Sequence, residues 1–304
     1  MDNNKVMIVG TGNVGASIAF ALMNQRTAVN EIVLTDIIAK DAEGEAMDLR
    51  DALAVAPSYV KVTSGTYRDA KDCDIVVITA GAAQKPGESR MDLLKKNVNI
   101  LKGMVEQIMA SGFNGIFLVV TNPMDVLTYY TYKFSGLPAE RVIGSGTVLD
   151  SARLRSRIAS YLNINPKSIH AHQIGEHGDT ELTLWSLADI GGQKISELLD
   201  KKTRTGISDF VRNEAYDIIE KKGATYYGIA TCVAQILNCI LNDEMRVLAV
   251  SSYDFFSDTA FGFPSIVGRQ GIIRRLDLKI SEHEGIELQK SINSLKKAIS
   301  SVKY

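Results

Sequence analysis

Three stretches of this sequence have residue types and spacings suited to chemistry. The first is Gly175-Glu176-His177-Gly178-Asp179. Two glycines bracket a histidine, so the backbone there can turn tightly or come close to a ligand. The unperturbed pKa of histidine lies nearest neutrality, which suits it to carry a proton in a reaction. A hydrogen-bonded structural histidine in a turn is the bland alternative. The second is Gly10-Thr11-Gly12-Asn13-Val14-Gly15, which follows the apolar run Lys5-Val6-Met7-Ile8-Val9 and leads into a helix-spaced segment of small and apolar residues, Ala16 to Leu22. In the order strand, glycines, helix, Gly10 permits the tight turn, Gly12 lets the backbone approach a pyrophosphate, and Gly15 lets helix pack on strand. The pyrophosphate would sit on the helix N-terminus, where free N–H groups and the helix dipole favour anions. The third is Asp36, at the end of the strand-like run Glu31-Ile32-Val33-Leu34-Thr35 and about 20 residues beyond the glycines. It would accept hydrogen bonds from an adenosine ribose and repel a 2′-phosphate, which selects NAD over NADP. Without the glycines, an Asp there is an ordinary helix cap.

Such residues need a sheet to hold them. After Asp36, Asp41 to Asp51 reads as a helix, Val60 to Ser64 as a strand, and Asp74 to Ala80 as a buried strand. Gly115 to Val120 and Arg141 to Ser145 are two further strands, and helical patterns over 92–111 and 124–134 separate them. Strands alternating with helices predict a doubly wound parallel sheet of the Rossmann kind, α/β in class. Ligands on such sheets bind at the carboxyl ends of the strands, so Gly81, Ala82, Asn122 and Ser145 fall on one edge with Gly12 and Asp36. The polar loop from Gly81 to Arg90 is either a surface connection or a lid over that edge.

Beyond Ser145 the alternation stops. Val148 to Tyr161 reads as a helix on which Asp150 and Arg153, three apart, share a face; an ordinary ion pair is the simple reading of them. Ser168 to Ile174 and Glu181 to Trp185 read as strands flanking the histidine turn. Helices follow over 204–222 and 224–241, then antiparallel strands over 245–253, 264–268 and 271–275, and a closing amphipathic helix over 282–299. The expected organisation is a dinucleotide-binding domain over 1–145 and an α+β substrate domain over 146–304, with a hinge near 144–146 and no tether between them.

The formal net charge of -1 and the lack of a basic block argue against nucleic acid or an anionic membrane surface as the main partner. The longest apolar runs, such as Ile75 to Ala83, are too short to span a bilayer. The opening Met1 to Lys5 lacks the layout of a signal peptide, and a cytoplasmic protein is expected. The three cysteines, Cys73, Cys232 and Cys239, form no disulfide framework and no metal-ligand spacing; they read as core residues of a reducing compartment. No metal is expected.

Taken together these segments resemble the lactate/malate dehydrogenase family over essentially the whole chain, and within it the bacterial L-lactate-specific branch. The matching stretches are 10–15, 84–90, Thr121-Asn122-Pro123, Gly144-Ser145-Gly146 with Leu149-Asp150-Ser151-Ala152-Arg153, 175–179, and Lys222-Gly223-Ala224-Thr225. The resemblance implies reduction of a 2-oxo acid with a hydride from NADH. His177 would give the proton and Asp150 would accept a hydrogen bond from its other ring nitrogen, favouring the imidazolium. Arg153 would grip the substrate carboxylate through two parallel N–H bonds. Arg90, carried by the lid, would polarise the carbonyl, and the closed lid would exclude water. Asn122 and Thr225 would line the substrate pocket. Asn13, Val14, Tyr67 and Val120 would join Gly10, Gly12, Gly15, Asp36, Gly81, Ala82, Asn122 and Ser145 around NAD.

Gln84 carries the choice of substrate. A malate enzyme of this family has an arginine there for the second carboxylate of oxaloacetate. A neutral amide leaves that charge unpaired in a closed site, whereas pyruvate offers only a methyl. Malate remains the competing substrate. A non-catalytic NAD(H) sensor is the competing class; it would lack one of His177, Asp150, Arg153 or Arg90, and all four are present. The resemblance also matches Arg155 and His170 to a fructose 1,6-bisphosphate site between subunits of a homotetramer. His172 and Gln173 stand where relatives commonly have an aromatic and an apolar residue.

Overall fold

The computed structural model describes residues 4–82, Gly87 and 90–302, with Arg90 described by its backbone alone. The strands are β1 (Lys5–Val9), β2 (Glu31–Thr35), β3 (Lys61–Ser64), β4 (Ile75–Ile78), β5 (Ile116–Val119), β6 (Val142–Gly144), β7 (Gln173–Ile174), β8 (Leu182–Thr183), β9 (Asp189–Ile190), β10 (Gln193–Lys194), β11 (Arg246–Asp254), β12 (Thr259–Gly268) and β13 (Gly271–Arg275). The helices are α1 (Asn13–Asn24), α2 (Ala39–Ala52), α3 (Arg90–Ala110), α4 (Met124–Ser135), α5 (Val148–Leu162), α6 (Ile195–Leu198), α7 (Lys201–Lys222), α8 (Tyr227–Leu241) and α9 (Glu282–Ser300).

Six parallel strands run in the order β3-β2-β1-β4-β5-β6. The chain leaves β1 toward one edge and returns on its other side at β4, so the switch point lies between them. Successive side chains of these strands point to opposite faces, and both faces are apolar. Val6, Ile8, Ile32, Leu34, Val77 and Leu118 enter the core under α1 and α8, while Met7, Val9, Val76, Ile78, Phe117 and Val119 enter the core on the other face. Burial of each such side chain stabilises the fold by roughly 1.5–3 kcal/mol.

The C-terminal hairpins do not form a sheet of their own. β11 pairs antiparallel with β6 and with β12, which pairs with β13, giving nine continuous strands among the described residues. β12 begins at Thr259, not at Pro264, where the sequence reading started it. Leu276 N–H donates to the Pro264 carbonyl at 3.0 Å, past the end of the β13 ladder. A residue's N and C=O face the same side of a strand, so the missing proline N–H faces that ended ladder and leaves the pairing with β11 intact.

The expected strand over Ser168–Ile174 shortens to Gln173–Ile174. Asn165 accepts a hydrogen bond from Lys167 N at 2.9 Å and caps a short turn, and His170 makes an isolated bridge with Asp189 before β7 pairs with β8. Changing partners from Asp189 to Leu182 breaks the ladder. The expected strand over 181–185 is likewise reduced to Leu182–Thr183. α8 begins at Tyr227 rather than Ala224, because Gly223 ends α7 in a left-handed cap with φ 85°.

Candidate active site

The three glycines after β1 have three different surroundings. Gly10 has φ 98°, and a Cβ there would stand 2.6 Å from Ala80 N, so β1 and β4 approach too closely for a side chain. A Cβ on Gly15 would run into the Gly10 carbonyl oxygen. A Cβ on Gly12 would meet nothing within 4 Å. That open space sits at the start of α1, where no side chain caps the helix and no acidic residue occupies the first turn. Free N–H groups beside an empty approach fit a pyrophosphate. Asn13 and Val14 are the first residues of α1.

Asp36 faces this turn from the end of β2. Its Oδ2 accepts from Thr11 N at 2.7 Å and Thr11 Oγ1 at 3.1 Å, and its Oδ1 from Ile38 N at 3.1 Å. Partial burial raises its pKa, but these hydrogen bonds outweigh that and hold it below the usual carboxylate range. An ionised acceptor is therefore fixed where a ribose would lie. Tyr67 is half-buried nearby, its hydroxyl pKa raised by burial and by the charge of Asp36.

The ends of β4, β5 and β6 complete this edge. Asn97 of α3 is 3 % exposed and ties two of them together: its Oδ1 accepts from Ala82 N at 2.8 Å and its Nδ2 donates to the Asn122 carbonyl at 3.4 Å. Gly81 and Asn122 are exposed, while Val120 and Ser145 are buried beside them. Gln84 lies outside the described residues, as does the Arg90 side chain. Thr225 is half-buried in the short connection between α7 and α8.

α5 and the histidine turn come together at the far side of the same edge. Thr147 Oγ1 donates to the Gln173 carbonyl at 2.7 Å and Gln173 N donates to Ser151 Oγ at 2.9 Å, which fastens the start of α5 to β7. The chain then enters the turn through Gly175, at φ 88°, whose N–H and C=O bridge to Gly262 of β12. Ser291 of α9 accepts from Glu176 N at 2.7 Å. His177 N donates to Asp125 Oδ2 at 2.7 Å, and Asp125 Oδ1 accepts from Ser251 Oγ at 2.6 Å.

With its backbone held, the His177 ring places Nδ1 2.6 Å from Asp150 Oδ2. Arg153 Nη1 donates to Asp150 Oδ1 at 3.0 Å, and Arg153 Nε lies 3.6 Å from Glu214. The Asp150 charge pushes the His177 pKa up to about 9 against the opposing effect of burial. Burial raises the Asp150 pKa, but His177 and Arg153 together hold it below the ordinary range. At neutral pH the set is therefore an imidazolium, a carboxylate and a guanidinium, with the imidazole's second nitrogen free of Asp150. The Arg153 guanidinium has Nη1 and Nε on carboxylates; it is not an open fork.

Two residues around His177 escaped the sequence reading. Asp125 looks like any acid in a helix first turn, yet it is 3 % exposed, and burial pushes its pKa up to about 7 despite the bonds from Ser251 and His177. Glu181 is 4 % exposed, with an oxygen within 4.8 Å of both Asp150 and His177. Its position four residues after the histidine was the one available signal.

Arg155 and His170 line a second cavity, of about 510 Å³, with Lys167, His172 and Arg246. Burial and the nearby Arg246 lower the Arg155 pKa. Burial, with Arg155 and His170 adding to it, pushes His172 down to about 4, so it is neutral at pH 7. The three cysteines are buried thiols. Burial raises the pKa of all three, Cys73 to about 12 and Cys232 to about 11. No helix among the described residues is long and apolar enough to cross a membrane.

An NAD-dependent oxidoreductase is the class this arrangement defines: a dinucleotide cradle at the switch point, with an imidazole held by a buried carboxylate at the end of the same crevice. Family models described as the lactate/malate dehydrogenase NAD binding domain and alpha/beta C-terminal domain match residues 4–144 and 147–304, so the chain belongs to the lactate/malate dehydrogenase family. It is 50% identical over 307 residues to L-lactate dehydrogenase 1 of Peribacillus psychrosaccharolyticus, covering 98% of this chain and 96% of that protein. It is also 50% identical over 309 residues to L-lactate dehydrogenase 1 of Bacillus cereus, covering 98% of each. Its fold matches the ligand-bound minor L-lactate dehydrogenase of Enterococcus mundtii with a TM-score of 0.96 and 45% identity, covering 100% of this chain and 99% of that one. A lactate dehydrogenase from a Medee basin deep-sea metagenome library matches with a TM-score of 0.97 and 45% identity over 100% of both chains.

Proposed function

We propose that this chain is an L-lactate dehydrogenase that reduces pyruvate to L-lactate with NADH and runs the reverse reaction. NADH supplies the hydride to the carbonyl carbon. The imidazolium of His177 gives its proton to the carbonyl oxygen from the ring nitrogen that Asp150 does not hold, and becomes neutral; in lactate oxidation the neutral ring takes that proton back. Arg153 pairs with the substrate carboxylate, and Arg90 steadies the charge developing on the carbonyl oxygen. Asn122 and Thr225 line the pocket, and Gln84 selects pyruvate over a dicarboxylate. The observation that carries this reading is the 2.6 Å contact of buried Asp150 with His177 Nδ1, which fixes which nitrogen is free and keeps the ring protonated. The first test follows NADH absorbance with pyruvate and with oxaloacetate. Pyruvate turnover exceeding oxaloacetate turnover is expected from Gln84; the reverse preference would make this a malate enzyme.

The chain divides functionally at 145/146, with a hinge there. The enzyme is a cytoplasmic homotetramer activated by fructose 1,6-bisphosphate at Arg155 and His170. The cationic lining of the second cavity supports an anionic effector: two arginines and a lysine face it, beside an exposed His170. Repeating the NADH assay with the bisphosphate tests this, and sedimentation with and without it tests the assembly.

A further inference from the structure

Gln173 is an uncharged amide in the interior of the molecule. It is 0 % exposed, and a buried amide is unfavourable unless it has partners. Its backbone is clamped on both sides, the N–H by Ser151 and the carbonyl by Thr147. Its side chain reaches across to the start of β8, where Nε2 donates to Glu181 Oε1 at 2.9 Å. Its Oε1 has no hydrogen-bond partner among the described residues. The carboxyl it holds has an oxygen within 4.8 Å of an Asp150 carboxyl oxygen and a His177 ring nitrogen.

We propose that Gln173 is a positioning residue for proton transfer: its carboxamide holds the Glu181 carboxyl beside the His177–Asp150 pair and allows that carboxyl to ionise there. The inference rests on His177 being the proton donor. The amide suits both states of its partner. Its N–H donates to a carboxyl oxygen, as seen, a bond that strengthens when that carboxyl ionises, and after a turn of the amide its free oxygen can accept from the protonated acid. A hydrocarbon in its place offers neither bond, and Glu181 would ionise only at higher pH.

The charges around the pair give the effect its sign. Glu181 is raised to about 8 by burial and by Asp150, and drawn down by His177, Gln173 and Arg212 of α7. His177 faces Asp150 of α5, Asp125 of α4 and Glu181. Glu176 of the turn bears on Asp125, while Arg153 and Glu214 close the far side of Asp150. An ionised Glu181 is a further negative neighbour for the imidazolium. As pH rises, Glu181 gains its charge over the range in which His177 would otherwise lose its proton, and that loss is delayed.

The test is the pH profile of kcat/KM for pyruvate reduction in the whole enzyme, for wild type, Gln173→Met, Glu181→Gln and the double variant. In both single variants the alkaline limb, which reports loss of the His177 proton, is expected to move to lower pH by about one unit. The double variant is expected to move no further, because both changes remove the same charge. A limb unmoved in Gln173→Met, or a shift that adds to that of Glu181→Gln, overturns the proposal. If Gln173→Met does not fold, Glu181→Gln decides: an unmoved limb there removes the basis of the inference. Failure of the His177 reading looks different, since the wild-type enzyme would then show no such limb.

Discussion

Asp150 Oδ2 stands 2.6 Å from His177 Nδ1, and the carboxylate is buried while the ring is partly open to the crevice. One side of the imidazole is thereby committed to a fixed charge, and the other is the one the proposed reaction uses. The His177 pKa is pushed up to about 9, so the ring is charged through neutrality. Pyruvate reduction needs the imidazolium and should stay level at neutral pH, then fall as pH rises through about 9. Lactate oxidation needs the neutral ring and should rise over the same range. Initial rates in both directions across pH check the sign.

Asp150→Asn keeps the shape but removes the charge that holds the proton. The alkaline limb for pyruvate should move down toward the ordinary histidine range, and kcat/KM at neutral pH should fall by about 10²–10⁴-fold. A pH series on the variant separates the lost proton from a merely misplaced ring.

Arg153 serves two partners. Its Nη1 holds Asp150 and its Nε lies by Glu214, so the proposed grip on the substrate carboxylate requires the guanidinium to turn from Glu214. Arg153→Lys keeps the charge but cannot reproduce a planar pair of N–H bonds, so KM for pyruvate should rise by about 10²-fold, an order-of-magnitude expectation for a lost charge-assisted pair. Steady-state kinetics with pyruvate, set beside NADH binding by fluorescence, show whether the loss is confined to substrate.

Much of this arrangement could be read before the fold was known, because strand order and glycine spacing are local signals. Gly10, Gly12, Gly15 and Asp36 lie within one βαβ unit, where sequence distance predicts spatial distance. The pairing of Asp150 with His177 was reachable only through family resemblance, since 27 residues separate them. Asp125 could not be read, and Gln173 stood out only as a departure from relatives. Their roles depend on burial and on partners that are remote or come from another strand, Ser251 for one and Glu181 for the other. The joining of β11 to β6 was hidden for the same reason: a strand's own pattern does not say which edge it will extend.

Asp125 is expected to matter for stability as well as for position. Asp125→Ala leaves the His177 N–H and the Ser251 hydroxyl without their acceptor. The variant should lose about 2–3 kcal/mol of stability, seen as a lower denaturant midpoint, together with a slower enzyme.

Arg155 and His170 give the effector reading a clean test. Arg155→Gln with His170→Ala should abolish any leftward shift of the pyruvate curve on adding fructose 1,6-bisphosphate and leave the unactivated curve in place, because neither side chain contacts the His177 cluster.

The measurement that bears most directly on the account is pyruvate reduction by His177→Gln, with NADH binding followed by fluorescence in the same samples. NADH should bind as in the wild-type enzyme, while turnover falls by about 10²–10⁴-fold and the alkaline limb disappears. Turnover that stays near the wild-type rate with the limb unchanged would contradict it, and some other group would have to deliver the proton.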